Sequence, residues 1–392
     1  MTFSFYKNIF SNDDLDKNFL KSLESTSSIY KYLVEDAAFF FDPKTGKFMR
    51  YEDFRERLFV IEDFVWMVLK SKDPGFAWSR PKNRTNAPEK YDGSKFIKKL
   101  YSYFQCLPKT GPEKLQYSEN VQMYFDIVSE MNLSYFTFTA INHIYYDPRN
   151  QISDGKSFSR SPTILCGDLF NEFINRIRQV AASAKFKKKV RDRANNSKLN
   201  YQNLGHYIND IFNTTSKVLV LRIDFEYDKE IAKSVTIKQA KKDRDRYLNN
   251  MRNNELFKTV VGYIWKLEDG EQRGLHYHFI FFLDGSLSHK DSYLAEEFGK
   301  YWAETVTKNR GFYYNCNRHP MNYKKACIGM IEHTDEIKRK NLMIVIKYLT
   351  KIDQYLRIKG ARMIGRGETP KRTTSKAGNP IGRPRKYESC HI

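Results

Sequence analysis

The segment from Ser216 to Tyr314 constrains the fold most, because two hydrophobic periods alternate along it. Apolar runs of strand length occur at 218–225, 257–267, 275–283 and 312–314. Helical spacing of apolar residues predicts helices over 235–253 and 290–306, and a closing helix over 341–358. The predicted order is therefore strand, helix, strand, strand, helix, strand.

That βαββαβ order is typical of a ferredoxin-like antiparallel sheet with its helices packed on one face. The other face of such a sheet commonly binds single-stranded nucleic acid. The remainder of the chain predicts an α+β protein, with a helix at 51–70 among aromatic-rich, mainly helical sequence. The predicted domains are a helical N-terminal domain (1–150), a helical basic connector (151–214), the sheet domain (215–360) and a basic flexible tail (361–392).

The charge balance predicts a polyanionic partner. Lys and Arg number 67 against 46 Asp and Glu, a net charge of +21, and basic side chains release counterions when they neutralise phosphates. Lys187, Lys188 and Lys189 lie in a basic run that is either a phosphate track or a solvated helix face. In the tail, Arg383 and Arg385 resemble the core of an AT-hook, which lays arginines into a narrow minor groove; a generic basic tail is the alternative.

The sequence also indicates a compartment. The N-terminus lacks a basic segment followed by an apolar one, and no apolar run reaches the roughly 20 residues of a membrane helix. The five cysteines include no CxxC pair, which argues against a disulfide framework. We expect a cytoplasmic protein without a membrane partner.

Three side chains predict a metal site in the central hairpin. His276 and His278 are two residues apart on one strand, so they project from the same face and can converge on one ion. Glu268 precedes the turn, and strand pairing would bring it beside them. Alone, it would be a solvated charge. Two histidines and a carboxylate suit Mg²⁺ or Mn²⁺ acting on phosphate oxygens, with zinc as the competitor.

The closing helix offers a candidate nucleophile. Tyr348 and Lys351 are one helical turn apart. A tyrosine with a free pKa of about 10 needs activation, and the lysine could stabilise either the phenolate or charge on a phosphate. Tyr355 lies two turns beyond Tyr348 and is either a second nucleophile or a packed aromatic residue.

The sequence resembles the HUH endonuclease superfamily, and within it the inovirus-type replication initiators of filamentous phages and prophages. The resemblance is carried by three runs, 261–285, 348–357 and 221–225. The resemblance implies a rolling-circle initiator that nicks one DNA strand. His276, His278 and Glu268 would hold the divalent ion. Tyr348 would attack the scissile phosphate, leaving a 5′-phosphotyrosine and a free 3′-OH, and Lys351 would be the motif lysine.

The same resemblance places Arg222 in the first family motif, which is structural or positions DNA. It implies single-stranded DNA at a replication origin as the partner, with a host helicase or polymerase as a further one. Two alternatives stay open. A relaxase or transposase would use the same residues on another DNA end, and a prophage regulator would bind DNA without cutting it.

Overall fold

The computed structural model describes residues 39–42, 47–50, 54–79, 90–93, 115–131, 133, 148–149, 151–153, 163–270, 273–320, 327–351 and 356–370. The chain forms two compact units, Met1–Asp53 and Phe54–Ile392. In the first, strands β1 (Phe39–Asp42) and β2 (Lys47–Arg50) pair antiparallel. All elements named below belong to the second unit.

The fold is α+β, with seven α-helices in the described ranges. They are α1 (Phe54–Lys70), α2 (Glu119–Glu130), α3 (Cys166–Ala182), α4 (Ala184–Thr214), α5 (Ile237–Met251), α6 (Asp291–Lys300) and α7 (Glu336–Lys351). Helices α1, α2 and α3 pack through aromatic rings, since the Phe64 ring lies 6.0 Å from Tyr124 and 5.9 Å from Phe173. Helix α1 confirms the helix predicted at 51–70, and its Leu58 and Ile61 are buried.

Short strand pairs lie among these helices. They are β3 (Phe76–Ser79) with β4 (Lys90–Gly93), β6 (Gln151–Ser153) with β7 (Thr163–Leu165), and β5 (Leu115–Tyr117) with β13 (Leu356–Ile358). The described part of the region before the main sheet therefore mixes helices with short strands.

Six strands form the main antiparallel sheet. They are β8 (Lys217–Tyr227), β9 (Val260–Gly270), β10 (Gly274–Asp284), β11 (Gly311–Asn315), β12 (Gly329–Glu332) and β14 (Ile364–Arg366). Their order is β11-β8-β10-β9-β14, and β12 pairs with the beginning of β8. The predicted element order is the observed order of β8, α5, β9, β10, α6 and β11.

The cross-strand register assigns each side chain to one of two faces. Phe279 of β10 lies opposite Ile223 of β8 and Trp265 of β9, so these odd-numbered residues share the first face. Helices α5 and α6 cover this face. The Tyr247 ring of α5 lies 5.9 Å from Phe279, and Phe298 of α6 belongs to the same buried cluster.

The second face carries the even-numbered residues, and α4 covers part of it. A Cβ added to Gly262 would lie 2.6 Å from the Tyr207 hydroxyl and 2.7 Å from Ile211 of α4. The Tyr207 hydroxyl also accepts a hydrogen bond from the backbone N–H of Tyr263 at 3.1 Å. Helix α7 packs along α4, where the Ser197 hydroxyl donates to the Thr350 carbonyl at 3.0 Å.

Helices therefore lie on both faces, whereas the sequence predicted helices on one face only. The physical reason is the composition of the second face. Ile264, Ile280 and Phe282 point towards it and are at most 2% exposed, so an uncovered face would leave a large apolar surface in water. On the second face, only the area around the polar side chains is left for a functional site.

The closing helix is shorter than predicted. Helix α7 ends at Lys351, and the predicted helical stretch up to residue 358 includes Leu356–Ile358, which is strand β13. Ile358 is buried and pairs with Leu115, so tertiary strand pairing overrides local helical spacing. Among the described residues, no helix is both long enough and apolar enough to cross a membrane.

The aromatic core on the first face of the sheet should contribute strongly to stability. Trp302, in a π-helical turn (Tyr301–Val306) that continues α6, is fully buried and stacks on Phe225 with centroids 5.0 Å apart. Trp302→Ala should lower the free energy of unfolding by about 3–5 kcal/mol in denaturant titrations, because it leaves a cavity. The control Leu287→Ala, at a side chain 71% exposed, should change it by less than about 0.5 kcal/mol. Equal effects would contradict this packing.

Candidate metal centre

The β9–β10 hairpin brings the three predicted metal ligands together. Glu268 lies directly opposite His276, and His278 is two residues further along β10 on the same face. All three side chains are buried, and their candidate ligand atoms lie within 4.8 Å of one another. Glu268, His276 and His278 therefore form a group that could hold a metal ion.

Hydrogen bonds orient both imidazoles for ligation. His276 Nδ1 lies 2.9 Å from the Gly274 carbonyl oxygen, and His278 Nδ1 lies 2.7 Å from Asp224 Oδ1. Both partners accept hydrogen bonds, so each Nδ1 carries the proton and donates it, which leaves Nε2 to bind a metal. His278 Nε2 lies 3.8 Å from Glu268 Oε2. This donor set fits a divalent cation.

The turn before the histidines requires glycine. Gly274 has a φ of 62°, in the left-handed region that side chains disfavour. A Cβ at this position would also lie 2.4 Å from the carbonyl oxygen of Ala232. The backbone carbonyl that holds His276 thus comes from a residue whose conformation only glycine adopts easily.

Asp224 is a site residue that the sequence reasoning missed. It lies on β8 directly opposite His278 and is buried. Arg222 Nε is 3.9 Å and an Arg273 nitrogen 3.6 Å from its carboxylate. Burial alone would raise the pKa of Asp224, but His278, Arg222 and Arg273 together hold it well below its ordinary value. The available signal was a carboxylate two residues after Arg222 on a strand whose first half is apolar.

Further charges surround this group. Arg273 forms an ion pair with Glu226, which lies two residues from Asp224 on the same face. Lys266 lies opposite His278 on β9 and is fully buried. Alternating acidic and basic side chains thus surround the ligands, which lowers the cost of keeping so many charges out of water.

Electrostatics also set the protonation of His278. Burial lowers the pKa of its imidazole, but Asp224 and then Glu268 oppose this effect, and the pKa is raised to about 8. In the metal-free protein the ring is therefore mostly protonated at neutral pH. Ligation must displace that proton.

The other predicted site residues lie on several elements. Tyr348 lies on α7 and is buried, and Lys351 is the last residue of that helix. Arg222 is largely buried beside Asp224. The side chains of Lys187, Lys188 and Lys189 are exposed on α4, where Lys188 pairs with Asp192 at 2.7 Å. Outside the described residues lie Tyr355, Arg383, Arg385 and the side chain of Lys351.

The sequence was compared with known protein families, curated proteins and solved structures. Residues 179–367 match the family model described as the YagK/YfjJ C-terminal domain. The matched span is just under half of the chain and contains the main sheet, the three candidate metal ligands and Tyr348. No curated protein and no solved structure matches the chain.

Metal affinity should depend on pH. Because His278 must lose a proton to bind, Mn²⁺ affinity should rise about tenfold per pH unit from about pH 6.5 and level off above its pKa of about 8. Isothermal titration calorimetry in buffers of different ionisation enthalpy would give both the affinity and the number of protons released. An affinity independent of pH, with no proton release, would contradict this protonation state.

Asp224 should control how well the site binds metal. Asp224→Asn removes the charge that orients His278, so Mn²⁺ affinity should fall about 10–100-fold in calorimetry above the His278 pKa of about 8, where no proton competes with the metal. The matched control is Asp192→Asn, at a carboxylate that is 52% exposed on α4, and it should leave the affinity unchanged. Equal affinities for Asp224→Asn and the wild type would show that the carboxylate does not position the ligand.

Proposed function

We propose that this protein is an HUH-type DNA nicking and joining enzyme that initiates rolling-circle replication of a phage or another mobile element. The observation that carries the proposal is the buried convergence of Glu268, His276 and His278 on one sheet face. The resemblance of the sequence to HUH replication initiators supplies the reaction class.

The strand arrangement supports the same proposal. The four strands of the βαββαβ segment lie in the order β11-β8-β10-β9, the arrangement expected of a ferredoxin-like sheet. The histidines lie on β10, an inner strand flanked by β8 and β9, where both neighbours contribute side chains to the site. A site on an inner strand is held by hydrogen bonds on both sides.

In the proposed reaction, the Tyr348 hydroxyl attacks the phosphorus of the scissile phosphodiester. A bond forms between the phenol oxygen and phosphorus, and the bond to the 3′ oxygen breaks. The phenolic proton leaves and the departing 3′ oxygen gains one, so no water is consumed and the reaction can reverse. Lys351, one helical turn from Tyr348, would stabilise the negative charge that develops.

The candidate metal ligands indicate what a bound divalent cation would do. Glu268, His276 and His278 would hold Mg²⁺ or Mn²⁺, which polarises a phosphate oxygen when bound. A catalytic zinc can use the same ligand set. Asp224 would keep His278 aligned, and Arg222 and Arg273 would keep Asp224 ionised.

The proposed partner is single-stranded DNA at a replication origin, in the cytoplasm. The net charge of +21 and the exposed Lys187, Lys188 and Lys189 on α4 favour phosphate binding. Arg383 and Arg385 of the C-terminal segment would add contacts to the DNA backbone or minor groove. A host polymerase would then extend the freed 3′-OH, and a host helicase would unwind the duplex ahead of it.

A covalent adduct assay tests the proposal. The protein is incubated with end-labelled single-stranded DNA from its own genetic neighbourhood, with Mn²⁺ or with EDTA, and analysed on denaturing gels and by peptide mass spectrometry. We expect a metal-dependent adduct on Tyr348. Tyr348→Phe, which removes only the hydroxyl, should abolish the adduct and leave DNA affinity nearly unchanged.

Tyr293→Phe is the matched control, because Tyr293 is 60% exposed on α6 over the opposite face, and it should form the adduct normally. An adduct that persists in Tyr348→Phe would exclude Tyr348 as the nucleophile and favour Tyr355. DNA binding without an adduct under any divalent metal would favour a non-catalytic regulator. An adduct that joins element ends instead of priming synthesis would favour a relaxase or transposase.

A further inference from the structure

The segment 308–325 is rich in cationic and aromatic residues, and its described part follows the last turn of the helix that packs on the sheet. It contains five Lys or Arg and four aromatic residues, and no Asp or Glu. Proteins that bind single-stranded nucleic acid use this combination, with cations for the phosphates and rings for the bases. The segment includes strand β11 at the edge of the main sheet.

The register places two of these aromatic residues on the histidine face of the sheet. Tyr314 lies opposite Asp224, which in turn lies opposite His278, so all three share one row across the sheet. Phe312 is two residues away on the same face, opposite Glu226. The Tyr313 hydroxyl donates to Glu296 of α6 at 2.8 Å, and the Phe312 and Tyr313 rings lie near each other at the edge of the sheet, with centroids 6.3 Å apart.

The spacing of these rings suits a single strand that crosses the metal centre. Strand β11 is two strand spacings from β10, which places the Tyr314 backbone about 10 Å from that of His278. Phe312 and Tyr314 are about 7 Å apart along β11, which is comparable with the separation of successive bases in an extended strand. A phosphate at the metal centre would thus have its neighbouring bases within reach of both rings.

One neighbouring side chain extends this surface. The ring of His319, which is exposed, lies parallel to Tyr314 within 17°, with centroids 6.4 Å apart. The Arg318 side chain is 60% exposed, but its guanidinium lies 3.7 Å from Glu296 on the α6 side of the sheet. Phe312 is 37% exposed, an unusual position for a phenylalanine on a strand.

We propose that Phe312, Tyr314 and His319 form a base-stacking platform for single-stranded DNA next to the scissile phosphate. This inference rests on the proposed function, because it takes single-stranded DNA as the substrate. Every base has an aromatic face, so the platform holds the strand irrespective of sequence. Paired and stacked bases of a duplex cannot reach it.

The test separates base contacts from phosphate contacts. Fluorescence anisotropy in EDTA compares a labelled strand of about 20 deoxythymidines with an abasic strand of the same length, which keeps the phosphates and lacks the bases. Phe312→Ala should weaken binding to the deoxythymidine strand about tenfold and leave binding to the abasic strand unchanged. Phe312→Trp should retain the affinity, and the control Tyr293→Ala should match the wild type.

Equal losses on both strands, or no loss on either, would overturn the platform. Folding is checked separately by circular dichroism, and Phe312→Leu, which keeps an apolar side chain without a ring, should behave like Phe312→Ala. Base-dependent binding without a covalent adduct would support the platform and contradict the nicking activity. An adduct on Tyr348 with no base-dependent loss in the Phe312 variants would contradict the platform alone.

Discussion

The pairing register of β9 with β10 is the constraint on which the candidate site depends. It places Glu268 opposite His276 and turns His278 towards the same face, while Phe279 and Tyr277 point into the core beneath α5 and α6. Side chains alternate along a strand, so a slip of one residue would bury the histidines among aromatic rings and expose those rings. The energy of core packing therefore fixes the ligand geometry, and Gly274 allows the tight turn that sets the register.

The charged residues around the candidate ligands also constrain the site. Buried carboxylates on β8 and β9 are matched by Arg222 on β8, Arg273 in the turn and Lys266 on β9. An isolated buried charge would be costly, whereas here basic side chains lie among the buried carboxylates and offset part of that cost. A bound divalent cation would add positive charge at the point where Glu268 and the proton of His278 face each other, which is why ligation and deprotonation are coupled.

Much of this architecture could be predicted from the sequence. The apolar runs located the four strands of the βαββαβ segment, and their period placed His276 and His278 on one face. Glu268 followed from the hairpin. These features depend on local patterns and on pairing between neighbouring segments. The role of Asp224 depends instead on a contact 54 positions away in sequence, which no local pattern reveals.

Local sequence patterns also could not predict that a helix covers the second face of the sheet. Helix α4 begins with a strongly basic run, yet its later residues Tyr207 and Ile211 pack on the sheet beside Gly262. Strand β13 was predicted as helix because its partner β5 lies more than 200 positions earlier. The aromatic and basic segment around β11 was visible in the sequence, but only the register shows that Tyr314 shares a row with His278.

The most direct test of the account is whether both histidines and Glu268 ligate one ion. Electron spin echo envelope modulation of Mn²⁺ bound to the full-length protein detects nitrogen nuclei in its coordination sphere. We predict coupling to two imidazole nitrogens in the wild type and to one in His276→Gln, since each ring presents a single Nε2. A spectrum without nitrogen coupling, or one unchanged in His276→Gln, would contradict the metal centre on which the proposed function rests.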